Sequence, residues 1–189
     1  MAATEPIRDK NQLRDMAEFY RSHGQFRNYA LIVMGACTAL RISDLLKLQW
    51  DEVYSEATQS FNSHITLREQ KTGKEKEIAL CDQVKTALRV YLPYRKGRYI
   101  FASRNAPHDP IVRSQAWRII REAAVAVGAT GKISCHSLRK TFGYHAWNSG
   151  VSPVVLMDIY NHSSYDVTKR YLGVAQDDLD KAYLGIDLF

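Results

Sequence analysis

Apolar residues recur along this chain at two periods, and the places where the period changes divide it into elements. Leu13, Met16, Ala17 and Tyr20 have helical spacing, and so do Tyr29, Ile32, Val33 and Ala36. A break near Thr38 precedes a short helix carrying Leu45, Leu46 and Leu48, for which Ser43 is a suitable N-cap. Alternation then takes over. Ile65 and Leu67, and later Ile78 and Leu80, alternate with polar residues on either side of Thr72-Gly73, which predicts a hairpin with a charged turn. Helical spacing returns with Val84, Leu88 and Tyr91, capped by Asp82 and ended by Pro93. Residues 99–112 read as a loop around Pro107 and Pro110. Ser114 caps the next helix, which runs through Trp117, Ile120, Ala124 and Val127 and stops at Gly128. Further helices are predicted from about His136 to Asn148, from Ser152-Pro153 onward, and from near Ser164 through Tyr171. The pattern is that of a mainly α domain with one small antiparallel β-sheet, an α+β class.

Composition narrows the picture. A chain of 189 residues is the size of one domain and can bury a core without disulfides or metal. An apolar share of 46% against 24% charged argues for a globular rather than a disordered chain. The net charge is +6, unevenly spread. Asp177, Asp178, Asp180 and Asp187 face Lys181 alone, so residues 173–189 carry −3 and the first 172 carry +9. A basic body suits a polyanion partner such as nucleic acid, although charge also serves solubility. Cys37, Cys81 and Cys135 are odd in number and widely spaced, which fits reduced thiols in the cytoplasm better than a disulfide framework. The N-terminal residues show no apolar stretch of the signal-peptide kind. The longest apolar segment, residues 30–40, falls short of the roughly 18 residues that suggest a membrane span.

Polar residues that could carry chemistry gather in four places. Arg41, in TALRISDLL, lies between an apolar helix and a capped one, where its planar fork of donors could be held toward a phosphate; the plainer reading is a surface arginine paired with Asp44. Lys71 lies at the hairpin turn with Lys74 and Lys76 following, and could reach across a phosphate or be one of the lysines common on solvated turns. His136 and Arg139, in CHSLRKTF, share a helical face, joining a titratable imidazole to a fixed cation; the alternative is a structural histidine at a helix start. His145 faces away from that pair and reads as structural. His162 and Tyr171 open and follow a helix in NHSSYDVTKRYLG. A free phenol has a pKa of about 10, so Tyr171 needs a base or a positive field to act as a nucleophile; otherwise it is one of eleven tyrosines.

Taken in order, Arg41, Lys71, His136-x-x-Arg139, His162 and Tyr171 resemble the catalytic domain of the tyrosine recombinases, the phage-integrase family. The matching segments are TALRISDLLKLQW, the KTG hairpin, HSLRKTF and NHSSYDVTKRYLG, spread over about residues 30–173. The resemblance implies a tyrosine-recombinase catalytic domain over residues 1–176 and a tail at 177–189 that docks in trans on a neighbouring protomer or packs in cis. It also implies a site-specific recombinase that works without metal or other cofactor. Tyr171 would attack a backbone phosphorus to leave a 3′-phosphotyrosyl bond. Arg41 and Arg139 would hold the non-bridging oxygens and Lys71 would protonate the leaving 5′-oxygen. His136 would take the phenol proton and His162 would donate a hydrogen bond to the phosphate. The partners implied are double-stranded DNA and three further copies of the chain in a DNA-bound homotetramer, with accessory DNA-bending proteins as an option and no membrane. Integration, excision and inversion are all compatible outcomes.

The chain departs from the family at three points. Tyr160-Asn161 stands where many members have Leu-Gly before the second histidine, and Lys140 where many have histidine. Only 40 residues precede Arg41, too few for the N-terminal DNA-clamping domain of most members, so a short member or an isolated catalytic domain is expected, with weak, salt-sensitive DNA binding. Three rival readings stand beside the recombinase: a type IB topoisomerase-like relaxase, a non-catalytic DNA-binding protein on the same scaffold, and a metal site of Cys135, His136 and His162, whose spacing fits no usual zinc pattern.

Overall fold

The computed structural model describes residues 4–172 and 183–186, with the side chains of residues 170–172 outside that description. Eight helices and two small hairpins make up the described domain. Helix α1 (Lys10–Ser22) is capped by Asp9, whose carboxylate accepts from Asn11 N at 2.8 Å. It packs against α2 (Phe26–Cys37), whose buried side carries Ala30, Leu31, Ile32 and Met34. Helix α2 is the hub, in contact with α1, α3 (Ile42–Lys47), α4 (Asp82–Tyr91), α5 (Arg113–Ala126) and α6 (Cys135–Asn148). An apolar helix buried on nearly every side is the expected centre of a helical domain.

The mainly α reading holds, with corrections in detail. The sheet is two hairpins rather than one. The predicted one is β3 (His64–Arg68) against β4 (Glu75–Ala79), with Ile65 opposite Ile78 and Leu67 opposite Lys76. The other, β1 (Tyr54–Ser55) with β2 (Ser60–Phe61), is two residues per strand, too short to show alternation. Three caps move. Helix α3 begins after Arg41, not Ser43; α4 after Cys81, not Asp82; and α5 after Val112, not Ser114. In each case the residue before the helix is already extended and its side chain makes no capping bond, so packing rather than a side-chain cap sets the start. Trp117 is 48% exposed, because α5 turns the small residues Ala116, Ala123 and Ala124 inward with Ile119 and Ile120.

The remaining helices are built on the signals the sequence offers. Ser134 caps α6, accepting from His136 N at 3.3 Å, and Ser137 Oγ accepts from Ser134 N in return. Helix α7 (Pro153–Tyr160) starts with Ser152 accepting from Val154 N and Pro153 in its first turn. Helix α8 (Tyr165–Leu172) packs on both α6 and α7. A second small apolar cluster of Ala39, Leu156 and Tyr160, flanked by Phe142 and Trp147, locks the end of α7 to the start of α3.

The N-terminal strap is tied to α6. Lys140 Nζ donates to Thr4 O at 2.7 Å, Ile7 N donates to Thr141 Oγ1 at 2.8 Å, and His145 Nε2 meets Ile7 O at 3.1 Å. His145 is thus structural, as expected. Lys140, at the first of the two local departures, serves this strap.

Helix α6 approaches α7 closely at Gly143. A Cβ there would lie 2.4 Å from the Tyr160 hydroxyl and 3.0 Å from its ring, and that hydroxyl donates to Arg139 O at 2.8 Å. Gly143→Ala should therefore lower stability by about 1–3 kcal/mol, the usual range for overpacking. Chemical denaturation of the two proteins side by side measures this.

Candidate active site

Two backbone turns meet at Arg139. Its side chain is 2% exposed, and the ring of Tyr160 lies 4.7 Å below the guanidinium. Nη2 donates to Tyr160 O at 3.0 Å and Nη1 donates to Ala39 O. Ala39 and Asn161 both have positive φ, 54° in each case, so both carbonyl-bearing turns are left-handed kinks. Asparagine accepts that region more readily than most residues, so the Tyr160-Asn161 departure preserves the turn. The same Tyr160 ring stacks on His162, with centroids 5.3 Å apart and planes 18° from parallel.

Arg41, the residue before α3, sits beside this group. Its partner is not Asp44 but Glu69, at 2.8 Å from Nη1 to Oε1. Glu69 directly follows β3 and is 1% exposed. Its other oxygen accepts from Thr72 Oγ1 at 2.8 Å and from Asn161 Nδ2 at 3.2 Å. Burial alone would raise its pKa, but the contacts from Arg41, Thr72 and Asn161 and the Arg41 charge hold it at about 2. Asp44 is also buried and accepts from Gln70 N at 3.1 Å, fixing the hairpin instead.

Lys71 is exposed at the hairpin turn. Lys76, on the adjoining strand, is the half-buried lysine of the site. Its Nζ donates to Ile159 O and lies 4.0 Å from Glu69 Oε1. Desolvation, then the charges of Arg139 and Arg41, outweigh the carboxylates and lower its pKa to about 8. Sequence reading passed over Glu69 and named Lys76 only as a lysine following the turn, yet a signal was there: Glu69 continues the inward parity of Ile65 and Leu67, and Lys76 that of Ile78 and Leu80.

The structure thus brings five of the six sequence-predicted residues into one electrostatic neighbourhood. Desolvation lowers His162 to about 4, helped by the charges of Arg139, Arg41, His136 and Lys71. His136 falls to about 4 through desolvation and then Arg139, Lys140, Arg113 and Arg41. His162 Nδ1 also shares a hydrogen bond with Thr168 Oγ1 at 3.0 Å, and Thr168 is buried in α8. The sixth residue, Tyr171, follows on that helix one turn later, with its backbone in α8 and its side chain outside the described residues. The tail prediction for 177–189 also lies outside them, except that Tyr183, Leu184 and Ile186 are exposed.

An arginine pair, two imidazoles and a turn lysine beside a tyrosine-bearing helix form a cationic cluster chemically suited to an anion such as a phosphate. Comparison with known proteins identifies the family. The phage integrase family matches residues 8–177. The probable integrase/recombinase YoeC of Bacillus subtilis is 35% identical over 184 residues, spanning 97% of both chains. Tyrosine recombinase XerA of Pyrococcus furiosus is 26% identical over 161 residues, covering 84% of this chain and 54% of that relative. The chain thus spans nearly all of the Bacillus relative and about half the length of XerA. Among solved structures, the fold matches XerA recombinase with a TM-score of 0.78 over 97% of this chain and 66% of that one, at 23% identity. It matches XerH, a site-specific recombinase solved on its difH substrate after cleavage, with a TM-score of 0.77 over 97% of this chain and 53% of that one, at 16% identity. The chain belongs to the phage integrase family, the tyrosine recombinases. The activity of that family is site-specific recombination, in which DNA is cleaved and rejoined. Among the described residues, no helix is long and apolar enough to cross a membrane.

The two depressed histidines make a pH prediction. Their folded values lie near 4 against an ordinary 6.5, so between those limits the unfolded chain binds more protons. Stability gained from keeping these rings neutral is present above about pH 6.5 and is lost as pH falls through 4. Ring-proton NMR of the DNA-free protein should show His136 and His162 still neutral at about pH 5.5, and unfolding free energy should fall as pH drops from about 6.5 toward 4.

Proposed function

We propose that this chain cuts one DNA strand by attack of Tyr171 on a backbone phosphodiester, and that Arg41, Lys71, His136, Arg139 and His162 form the cradle for that phosphate. The observation that supports the reading is that Arg139 and His162 share the Tyr160 ring and that the charges of Arg139, Arg41, His136 and Lys71 all act on the His162 imidazole, on the turn that leads into the helix containing Tyr171. The P–O bond to Tyr171 forms as the P–O bond to the 5′-oxygen breaks. The phenol proton passes to His136, whose neutral ring has a lone pair to receive it. Lys71 returns a proton to the leaving 5′-oxygen. The bond energy is kept in the phosphotyrosyl ester, so a 5′-hydroxyl from another strand can reverse the step.

The fixed guanidiniums stabilise the charge that shifts onto the non-bridging oxygens. In this reading Thr168 Oγ1 donates to Nδ1, which puts the proton of His162 on Nε2 for donation to a phosphate oxygen. The N-terminus of α6 lies at His136 and adds its own partial positive charge toward an anion. DNA is the substrate of choice for such a cradle on a body of net charge +9 over residues 1–172. A homotetramer on DNA suits exchange between two duplexes. The exposed apolar residues Tyr183, Leu184 and Ile186 make residues 177–189 the segment we assign to contact between protomers. In this reading the protein works in the cytoplasm, and the sites on the DNA decide between integration, excision and inversion.

Covalent capture is the direct test. Incubation with a pool of nicked duplexes of randomised sequence should yield protein–DNA adducts that survive denaturation, and the trapped sequences define a site. Tyr171→Phe should trap nothing. An adduct formed by the Phe variant would move the nucleophile to another tyrosine, and no adduct from the unaltered protein would overturn the reading.

The leaving-group role of Lys71 has a separate test. On the captured sequence, Lys71→Ala should slow cleavage by about 10²–10⁴, the usual range for a general acid. A 5′-bridging sulfur, which leaves as a thiolate without needing a proton, should restore most of the rate. If sulfur rescues Lys76→Ala and not Lys71→Ala, the acid is Lys76.

A further inference from the structure

The search beyond the six residues returns repeatedly to one carboxylate. Glu69 is 1% exposed, and each of its side-chain contacts leads to a different part of the site. Oε1 lies 2.8 Å from Arg41 Nη1, at the start of α3. Oε2 accepts from Thr72 Oγ1 at 2.8 Å, in the turn residue next to Lys71. Oε2 also accepts from Asn161 Nδ2 at 3.2 Å, in the left-handed turn that presents His162. Its backbone closes the hairpin, with Glu69 N donating to Lys74 O at 2.9 Å and Gly73 N donating to Glu69 O at 2.8 Å. Lys74 Nζ in turn donates to Asn161 Oδ1 at 2.9 Å, a second tie between the same hairpin and the same turn. Arg41, the hairpin and Asn161 are separated by tens of residues in the chain, and this side chain is where they meet.

We propose that Glu69 is a positioning residue: it fixes Arg41, the Lys71 turn and the His162 turn relative to one another before DNA arrives, so that the phosphate enters a preassembled site. This rests on the phosphotyrosyl reading above and names a residue that reading does not use. A carboxylate among cations is otherwise a poor choice beside a phosphate, since its charge opposes the anion. Its value lies in geometry. A shift of about 1 Å in a reacting group can cost about 10²-fold in rate, so holding three separate segments in register outweighs a modest loss of attraction. Glu69 needs no direct contact with DNA to act this way, because Arg41, Thr72 and Asn161 each transmit its position.

The test separates binding from chemistry. On a captured nicked duplex, single-turnover cleavage at saturating protein and duplex affinity are measured independently for Glu69→Gln, Thr72→Val and Asn161→Gly, with thermal melting of each. Glutamine removes the charge and keeps the size. Valine deletes one hydroxyl. Glycine tolerates the positive φ of Asn161 and deletes only its amide. Glu69→Gln should bind DNA as well as or better than the unaltered protein, having lost a repelling charge, yet cleave about 10- to 100-fold more slowly. Thr72→Val and Asn161→Gly should each slow cleavage less, and adding either to Glu69→Gln should cost little more, because the same link is already broken. Unchanged cleavage by Glu69→Gln overturns the proposal. Faster cleavage overturns it too, and would make Glu69 a counter-charge that must be displaced. Equal losses of affinity, rate and melting temperature would reduce it to support of the fold. If the unaltered protein forms no adduct at all, the underlying phosphotyrosyl reading fails instead.

Discussion

A guanidinium taken almost wholly out of water must find acceptors inside the protein, and at Arg139 they are backbone carbonyls from two turns far apart in sequence. Ala39 O and Tyr160 O both receive its protons. Removing a charge from water without such partners is expensive, so the fold that buries Arg139 has to bring these turns together. The consequences spread outward. The turn at Ala39 leads directly to Arg41, and the turn at Tyr160 leads directly to His162. Tyr160 binds Arg139 through its ring and its hydroxyl and stacks His162 on its other side, so one aromatic residue orients two of the site's polar groups. The arrangement of Arg41, Arg139 and His162 is in this sense the by-product of satisfying one buried cation.

The same crowding sets the protonation of the site. Arg41, Arg139, Lys71 and Lys76 lie close enough to influence one another or the imidazoles, and two buried carboxylates, Asp44 and Glu69, offset part of that charge. The two histidines contribute no further positive charge at neutral pH, because both fall to about 4. That leaves each ring one nitrogen able to accept and one able to donate, which a doubly protonated imidazole lacks. In the reading proposed above, an anion entering beside Arg41 and Arg139 would meet a field already organised for it.

Much of this was legible in the amino acids, and the parts that were not have physical reasons. Helices α1 and α4 announced themselves by period, because each carries an apolar face against the core. The six polar residues were legible through order and spacing, which the family resemblance assembled into one site. Cap residues were misassigned where a hydroxyl or carboxylate sat one or two places inside the helix that packing had already started. Glu69 was missed for a different reason. A charged residue at a strand end is normally assigned to solvent, and only its parity with Ile65 and Leu67 hints that it points inward. Asp44 was seen as a partner for Arg41 because the two are neighbours in sequence, whereas the hairpin, distant in sequence, delivers the acid that pairs with it. Contacts made across dozens of residues leave little trace in local pattern.

The strap of residues 4–7 has a mechanical implication. It is fastened by Lys140, Thr141 and His145, three residues of the very helix that holds His136 and Arg139. Force applied to the polypeptide ahead of Thr4 would be carried along that seam to α6 rather than dissipated in a loose lead-in. Whatever is joined to the front of this domain, whether a fused reporter or a surface anchor, therefore pulls on the helix that carries His136 and Arg139.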